Sequence, residues 1–260
     1  MNDLLQVVYA SDKRRNLLIY LRDGPKEWDE IKHVLKVTST GMLPQVKILE
    51  EAHLIEKNGK VYALTALGRI ISENLAPFLD TLDTLERYTK FWQEHDIGIL
   101  PIELLLDIRQ LGDYQILEIP DADLFNVNPF LDNLSHAKFL QGISHTLHPR
   151  FPQYFLNLAQ HCPDTSLILT PSVFSLVVKN YRPLLLKYLA QENAEMYVND
   201  KDVRFSCAVS DSYFSLSLFY NTGNFDSKND IISRSPSAIL WGKRLFAHYK
   251  KNAKKVEQIP

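Results

Sequence analysis

The chain has 260 residues, 45% of them hydrophobic and 23% charged, with 29 Lys and Arg against 31 Asp and Glu. A net charge of −2 excludes a polycation that coats nucleic acid through bulk charge, while leaving room for a local basic face. Two cysteines, Cys162 and Cys207, are too few for a disulfide scaffold and point to a cytoplasmic setting; no apolar run approaches the ~18 residues of a membrane span, and no secretory leader is evident.

Residues 1–69 carry 11 Lys and Arg against 9 Asp and Glu, so the N-terminal part is the mildly basic one. Leu4, Leu5, Val8, Leu17, Leu18 and Leu21 follow a helical spacing interrupted near Ser11, and Asp23-Gly24-Pro25 ends it. A short helix is expected over Glu27 to Leu35, with Trp28, Ile31 and Leu35 on one face. Thr38 is a good N-cap for a third helix reaching about His53, with Met42, Val46 and Leu49 pointing inward. Two helices joined by a tight connection are a helix-turn-helix. The runs Leu54–Lys57 and Val61–Leu64 then read as strands around Asn58-Gly59, a pair suited to a type I′ hairpin turn. Thr65 caps the next helix.

The run from Val37-Thr38-Ser39-Thr40-Gly41-Met42 to His53-Leu54-Ile55, with Tyr62-Ala63-Leu64-Thr65-Ala66-Leu67-Gly68, resembles the recognition helix and wing of ArsR/MarR-like winged-helix regulators. The resemblance implies double-stranded DNA as partner and places the helix from Thr38 in the major groove. Ser39, Thr40, Leu43, Gln45 and Lys47 would then meet bases or phosphates, with Thr38 at the helix start. Gln can pair bidentately with adenine. Lys57 and Lys60 flank the wing turn and could reach the flanking backbone. Pro44 departs from the pattern: it removes one helix hydrogen bond and can kink the helix.

From Thr65 to about His95, Ile71, Leu75, Phe78, Leu82, Leu85, Thr89 and Trp92 alternate spacings of 4 and 3, an a/d seam, with a kink or break expected at Pro77. Such a helix can join two copies into a homodimer on a palindromic operator, or pack on its own C-terminal domain. Residues 97–110 read as another apolar helix.

After Gly112, strands and helices alternate. Strands are expected at Tyr114–Ile119, Ala137–Ser144, Ser166–Thr170, Glu195–Val198, Val203–Val209 and Phe214–Tyr220. Helices are expected at Ala122–Ser135, Phe151–His161, Val173–Gln191 and Pro236–Lys254. The fold class is therefore an α+β winged helix over 1–75, linker or dimerisation helices over 76–112, and an α/β effector domain over 113–260 with a mixed, largely parallel sheet.

Gly142-Ile143-Ser144 with His148-Pro149, Leu167-Ile168-Leu169-Thr170, Phe214 to Tyr220 and Trp241-Gly242 extend the resemblance. Nearly the whole chain resembles archaeal winged-helix regulators that include the filament-growth and methanogenesis regulators of methanogens. The C-terminal half is also distantly similar to the phospholipase D-type fold. Counting back from Asp211, the positions of that fold's His-x-Lys-x4-Asp hold Arg204 and Ser206, so the nucleophilic histidine is absent. A phosphodiesterase and a winged-helix protein adaptor stand as alternatives to a regulator.

In open α/β sheets ligands sit beyond the carboxyl ends of strands. Ser144, His145, His148, Arg150 and Thr170 occupy such ends and suit a small anionic effector. His145, His148, His161 and Cys162 could supply metal ligands, but their spacing is not diagnostic, and no metal or cofactor is expected. There is no Gly-x-Ser-x-Gly and no Gly-rich phosphate loop, so no catalytic site is expected either. The run Lys243, Arg244, Lys250, Lys251, Lys254 and Lys255 reads as a solvated helix face.

Overall fold

The computed structural model describes residues 3–120, 128–200 and 203–259. The expected helix Ala122–Ser135 therefore lies partly outside the described residues; its described part is α8 (Asn128–Leu134). The chain divides into two compact units, Met1–Asp83 and Thr84–Pro260.

In the first unit the N-terminal helical run is two helices, α1 (Leu4–Tyr9) and α2 (Asp12–Tyr20), separated at Ser11. A two-residue strand β1 (Lys26–Glu27) precedes α3 (Trp28–Leu35), which Lys36 ends in the left-handed conformation, φ 52°. Thr38 caps α4 (Ser39–Glu51), its Oγ1 accepting from the Gly41 N–H at 3.3 Å. Pro44 is exposed and the helix runs through it. Met42, Val46 and Leu49 face a core with Leu17, Leu18, Leu21, Ile31 and Leu54.

Strands β2 (Ile55–Asn58) and β3 (Val61–Leu64) form an antiparallel hairpin, and β1 pairs with the other edge of β3. Asn58 pairs with Val61, so the two turn residues are Gly59 and Lys60, one place further on than the sequence suggested. Only Gly59 has positive φ, at 65°, which fits a type II′ turn; type I′ would need it at both central residues. Lys60 thereby comes to the tip of the hairpin.

The next helix, α5 (Ala66–Arg87), is not broken by Pro77. The break comes at Tyr88, φ −139°, before α6 (Thr89–Glu94). The expected single seam is divided. Ile71 and Leu75 join the first unit's core, whereas Leu85 and Trp92 pack into the core of the second. Ile70, Phe78 and Leu82, offset round the helix, are 61%, 45% and 38% exposed.

Residues 97–110 are not one helix. Pro101 and tight turns leave only α7 (Ile102–Leu105) between two short 3-10 segments. Leu100, Leu104, Ile108 and Leu111 nonetheless belong to the second unit's core.

That unit is built on an eight-stranded sheet made of β4 (Gln115–Glu118), β5 (Leu140–Ser144), β6 (Thr165–Leu169), β7 (Ala194–Asn199), β8 (Phe205–Ser210), β9 (Phe214–Phe219), β10 (Phe225–Ser233) and β11 (Ala253–Lys255). Its order is β11-β7-β6-β5-β8-β9-β10-β4. Only the β5/β6 and β6/β7 pairs are parallel, so the expectation of a largely parallel sheet is corrected. Parallel neighbours need a crossover, and helices α9 (Phe151–Ala159) and α10 (Pro171–Leu189) supply two. Among the described residues no helix lies between β7 and the end of β10; β8 is placed antiparallel beside β5, and β9 and β10 follow it as consecutive antiparallel neighbours. The strand β10 was hidden by its polar sequence Asp226-Ser227-Lys228-Asn229-Asp230. The last helix, α11 (Pro236–Lys250), stops short of the expected Lys254, and residues 253–255 form the edge strand β11.

Strict alternation in β8 and β9 sorts side chains between the sheet's faces. Phe205, Val209, Phe214, Leu216 and Leu218 pack with Trp241 and Leu245 of α11. Ala208 joins Leu156, Leu167, Val173, Leu185 and Tyr188 on the α9/α10 side.

Candidate nucleic-acid interface and ligand pocket

Around α4 the exposed side chains are Thr38, Thr40, Leu43, Pro44 and Lys47, with Ser39 and Gln45 half-buried. The Thr38 and Thr40 hydroxyls lie 3.2 Å apart. Lys47 is 76% exposed and makes a loose 3.8 Å pair with Glu51. Lys57 lies over the Tyr62 ring, 5.5 Å from its centroid, and Lys60 is exposed at the hairpin tip. Lys13 adds a cation near the helix start, donating to Gly41 O at 3.2 Å.

Gln45 is not free. Its Oε1 accepts from Arg14 Nη1 at 2.7 Å. Arg14 is buried, at 8% exposure, and also donates to Gln6 O at 3.2 Å and to Val7 O. One guanidinium thus ties α1 and α2 to α4, and fixes the Gln45 carbonyl that adenine recognition would require. Sequence reading passed over Arg14 because, next to Lys13 and Arg15, it looks like one of three solvated cations.

In the second unit a cavity of about 470 Å³ opens between the sheet and α9/α10. Its apolar wall includes Phe130, Phe151, Phe155, Val177, Leu185 and Met196. Its floor consists of small side chains: Gly142 on β5, Ser206 and Ala208 on β8, Ser215 and Ser217 on β9. Gly142 pairs with both Ala208 and Leu167, and a Cβ there would lie 2.9 Å from Leu167 Cδ2.

Of the expected effector residues, Ser144 and His148 line this cavity; His145, Arg150 and Thr170 are not among its described lining. Thr170 is fully buried and caps α10, accepting from the Val173 N–H at 3.3 Å. Arg150 is exposed just before α9. His145 stacks edge-on to Phe219, and its Nδ1 is buried without a partner among the described residues. The charged residues lining the cavity are Glu118, Asp226 and Asp230; no Lys or Arg lines it among the described residues. An anionic effector therefore finds no matching charge there.

The two aspartates differ. Asp226 Oδ1 accepts from the Lys228 and Asn229 N–H groups at 2.8 and 3.1 Å. Its Oδ2 lies 2.9 Å from both His95 Nε2 and Asn229 Nδ2. His95 is buried and its Nδ1 meets Phe91 O at 2.7 Å, so both ring nitrogens face acceptors. Burial pushes the Asp226 carboxyl up, but these hydrogen bonds together hold it below its ordinary value. Among the described residues Asp230 receives one bond, from Ser217 Oγ at 2.5 Å. Burial pushes its carboxyl above the ordinary value, and the charge of Asp226 adds to the rise.

Among the described residues no three His, Cys, Asp or Glu side chains come together as a metal site. Cys162 donates to Asp164 O, and His161 meets Asn157 O. At the positions compared with the phospholipase D motif, Arg204 pairs with Asp96 at 3.4 Å, Ser206 accepts from the His145 N–H, and Asp211 accepts from the Lys138 N–H. Four of the six residues of the C-terminal basic run are engaged within the unit. Arg244 pairs with Asp107, Lys250 and Lys255 pair with Glu195, and Lys243 lies over the Phe139 ring. No helix among the described residues is long and apolar enough to cross a membrane.

Residues 2–83 match the N-terminal domain, and residues 126–252 the middle domain, of the methanogenesis regulatory protein FilR1. The chain belongs to the FilR1 family of regulatory proteins. It is 24% identical over 262 residues to the FilR1 of Methanothrix harundinacea (strain 6Ac), covering 98% of this chain and 58% of that one. It thus spans less than two thirds of that relative. Among solved structures, the archaeal chromatin protein TrmBL2, described as showing a novel mode of DNA binding, aligns over 98% of both chains at 13% identity and a TM-score of 0.45. Quinone-bound YodB from B. subtilis aligns with 31% of this chain and 93% of its own at 25% identity and a TM-score of 0.28. At these scores neither likeness bears on function. The FilR1 matches fall on the two units that carry the candidate interface and the cavity.

Proposed function

We propose that the chain is a DNA-binding transcription regulator. In this reading the first unit is a winged helix-turn-helix that reads duplex DNA through α4 and the β2–β3 wing. The observation that carries it is the division of α4 into a core face of Met42, Val46 and Leu49 and an exposed face of Thr40, Leu43 and Lys47, beside a wing tipped by Lys60. A helix of this kind can enter the major groove while the wing lysines meet phosphate. The FilR1 relationship supports a regulatory role.

The regulator works as a homodimer on a palindromic operator, with half-sites about one helical turn, ~34 Å, apart. Ile70, Phe78 and Leu82, with Asn74 between them, form the exposed stripe of α5 that would meet its copy. An effector in the second unit shifts DNA binding only if it binds the two states of the dimer differently. The setting is cytoplasmic.

The test is binding of the full chain to duplex from its own promoter region, measured against salt. Affinity is expected to fall steeply as salt rises. No duplex binding at low salt overturns the proposal and leaves the first unit as a protein-docking module. Light scattering checks the dimer, and Phe78→Asp with Leu82→Asp is expected to give a monomer.

A further inference from the structure

We infer that the cavity of the second unit binds an amphiphilic cation, an alkyl or ring-bearing ammonium whose charged head sits against Asp230 and whose apolar body fills the space beneath α9 and α10. The inference deepens the effector reading above and rests on it only for the consequence on DNA binding.

Size is the first argument. About 470 Å³ lies within the range of ligand pockets and is far larger than a packing defect. The cavity is built into the sequence, because the strands that floor it present Gly, Ala and Ser where a closed core would place Val or Leu. The wall is aromatic and aliphatic, so the body of the ligand must be apolar.

Charge is the second argument. Asp230, Ser217 and Ser206 are register neighbours across β10, β9 and β8, a polar row on an otherwise apolar surface. Asp226 is saturated by His95, Asn229 and the Lys228 N–H. Asp230 is not. Ser217 donates to Oδ1, and Oδ2 has no donor among the described residues. Asp230 retains some accessible surface although protein crowds it, as expected of a group that faces an internal space. A buried carboxylate without a counter-charge is unfavourable. A ligand N–H⁺ supplies both the missing donor and the missing charge. A carboxylate or phosphate ligand would meet Asp226 and Asp230 with no Lys or Arg to offset them.

The test compares decylammonium, decanol and decanoate, each below its aggregation concentration, by calorimetry on the full chain. Decylammonium is expected to bind at least tenfold tighter than decanol, and decanoate most weakly. In Asp230→Asn the preference for the amine over the alcohol is expected to vanish, while Ala208→Leu, which fills the floor, weakens all three. Equal affinity for the three probes in the native chain, or a preference that survives Asp230→Asn, overturns the inference. Should Asp230→Asn fail to fold, a pH titration of the Asp230 carboxyl ¹³C shift in the native chain decides: decylammonium is expected to lower its midpoint and decanol is not, and a midpoint that decylammonium leaves unchanged overturns the inference. Promoter binding is measured on the same samples. Amine binding through Asp230 without any DNA binding would sink the regulator reading and leave the ligand site standing.

Discussion

Arg14→Ala should destabilise the first unit far more than loss of a surface cation. The guanidinium donates to Val7 O, to Gln6 O at 3.2 Å and to Gln45 Oε1 at 2.7 Å, and is 8% exposed. Hydrogen bonds from a charged donor contribute about 1.5–3 kcal/mol each when partners stay buried. Three would exceed what the site can lose, because α1 can detach instead. Of that helix only Val7 and Val8 are buried, and burying each stabilises by about 1.5–3 kcal/mol at most. The expected loss is therefore about 2–4 kcal/mol, shared between the freed acceptors and a loosened α1. The two units need not unfold together, so a single melting temperature is the wrong measure. Hydrogen exchange followed by mass spectrometry resolves the units, and peptides from residues 4–20 and 39–51 should lose protection about 30- to 700-fold, at 1.4 kcal/mol per decade. Arg14→Lys, which keeps a charge but not the fork, should fall between. A change below threefold in Arg14→Ala, or one that spares residues 39–51, would refute the staple.

Because Arg14 holds the Gln45 carbonyl, Gln45→Ala should reduce discrimination between specific and random duplex by less than about 1 kcal/mol, against the ~1–3 kcal/mol of a free bidentate contact; competition binding measures it. Lys57→Ala with Lys60→Ala should lower the slope of log affinity against log salt by about 2, since each phosphate contact contributes roughly 0.9, and should act alike on all sequences. Glu195 is held at about 2 by hydrogen bonds from Lys255, Lys250 and Tyr197. Its folded value lies below the unfolded one, so its stabilisation is full above the ordinary value of 4.5 and fades as pH falls toward about 2. The side chain is 33% exposed, which reduces the contribution to roughly 1–2 kcal/mol after solvent screening. Urea unfolding of Glu195→Gln should therefore show a deficit at pH 7 that closes near pH 2.

Most of the first unit was legible in the sequence because its main elements announce themselves locally, whereas the two-residue strand β1 has no local signal. Thr38 caps, Met42, Val46 and Leu49 repeat at 4 and 3, and a glycine marks the hairpin. What local signals could not give was which polar residues the fold would enclose. Arg14 sits among exposed neighbours in sequence, and only the packing of α1, α2 and α4 makes it an internal staple. The second unit inverted the same problem. Alternation in Phe205-Ser206-Cys207-Ala208-Val209 and Phe214-Ser215-Leu216-Ser217-Leu218 reads as strands with one solvated face. The face bearing the serines is instead covered by α9 and α10, and Ser215 is 4% exposed. Small side chains under a helical layer cannot fill the space that larger ones would, and the cavity is the consequence. Sequence reasoning looked for the ligand at strand tips, where Arg150 and Thr170 supply recognisable chemistry. The cavity reaches those tips at Ser144 and His148 and extends over the middle of the strands, where the chemistry is the absence of bulk and the under-bonded carboxylate of Asp230. A buried Ser-x-Ser alternation facing an aspartate one strand away is thus the sequence signal that would have located the pocket, provided the helices covering that face had been assigned first.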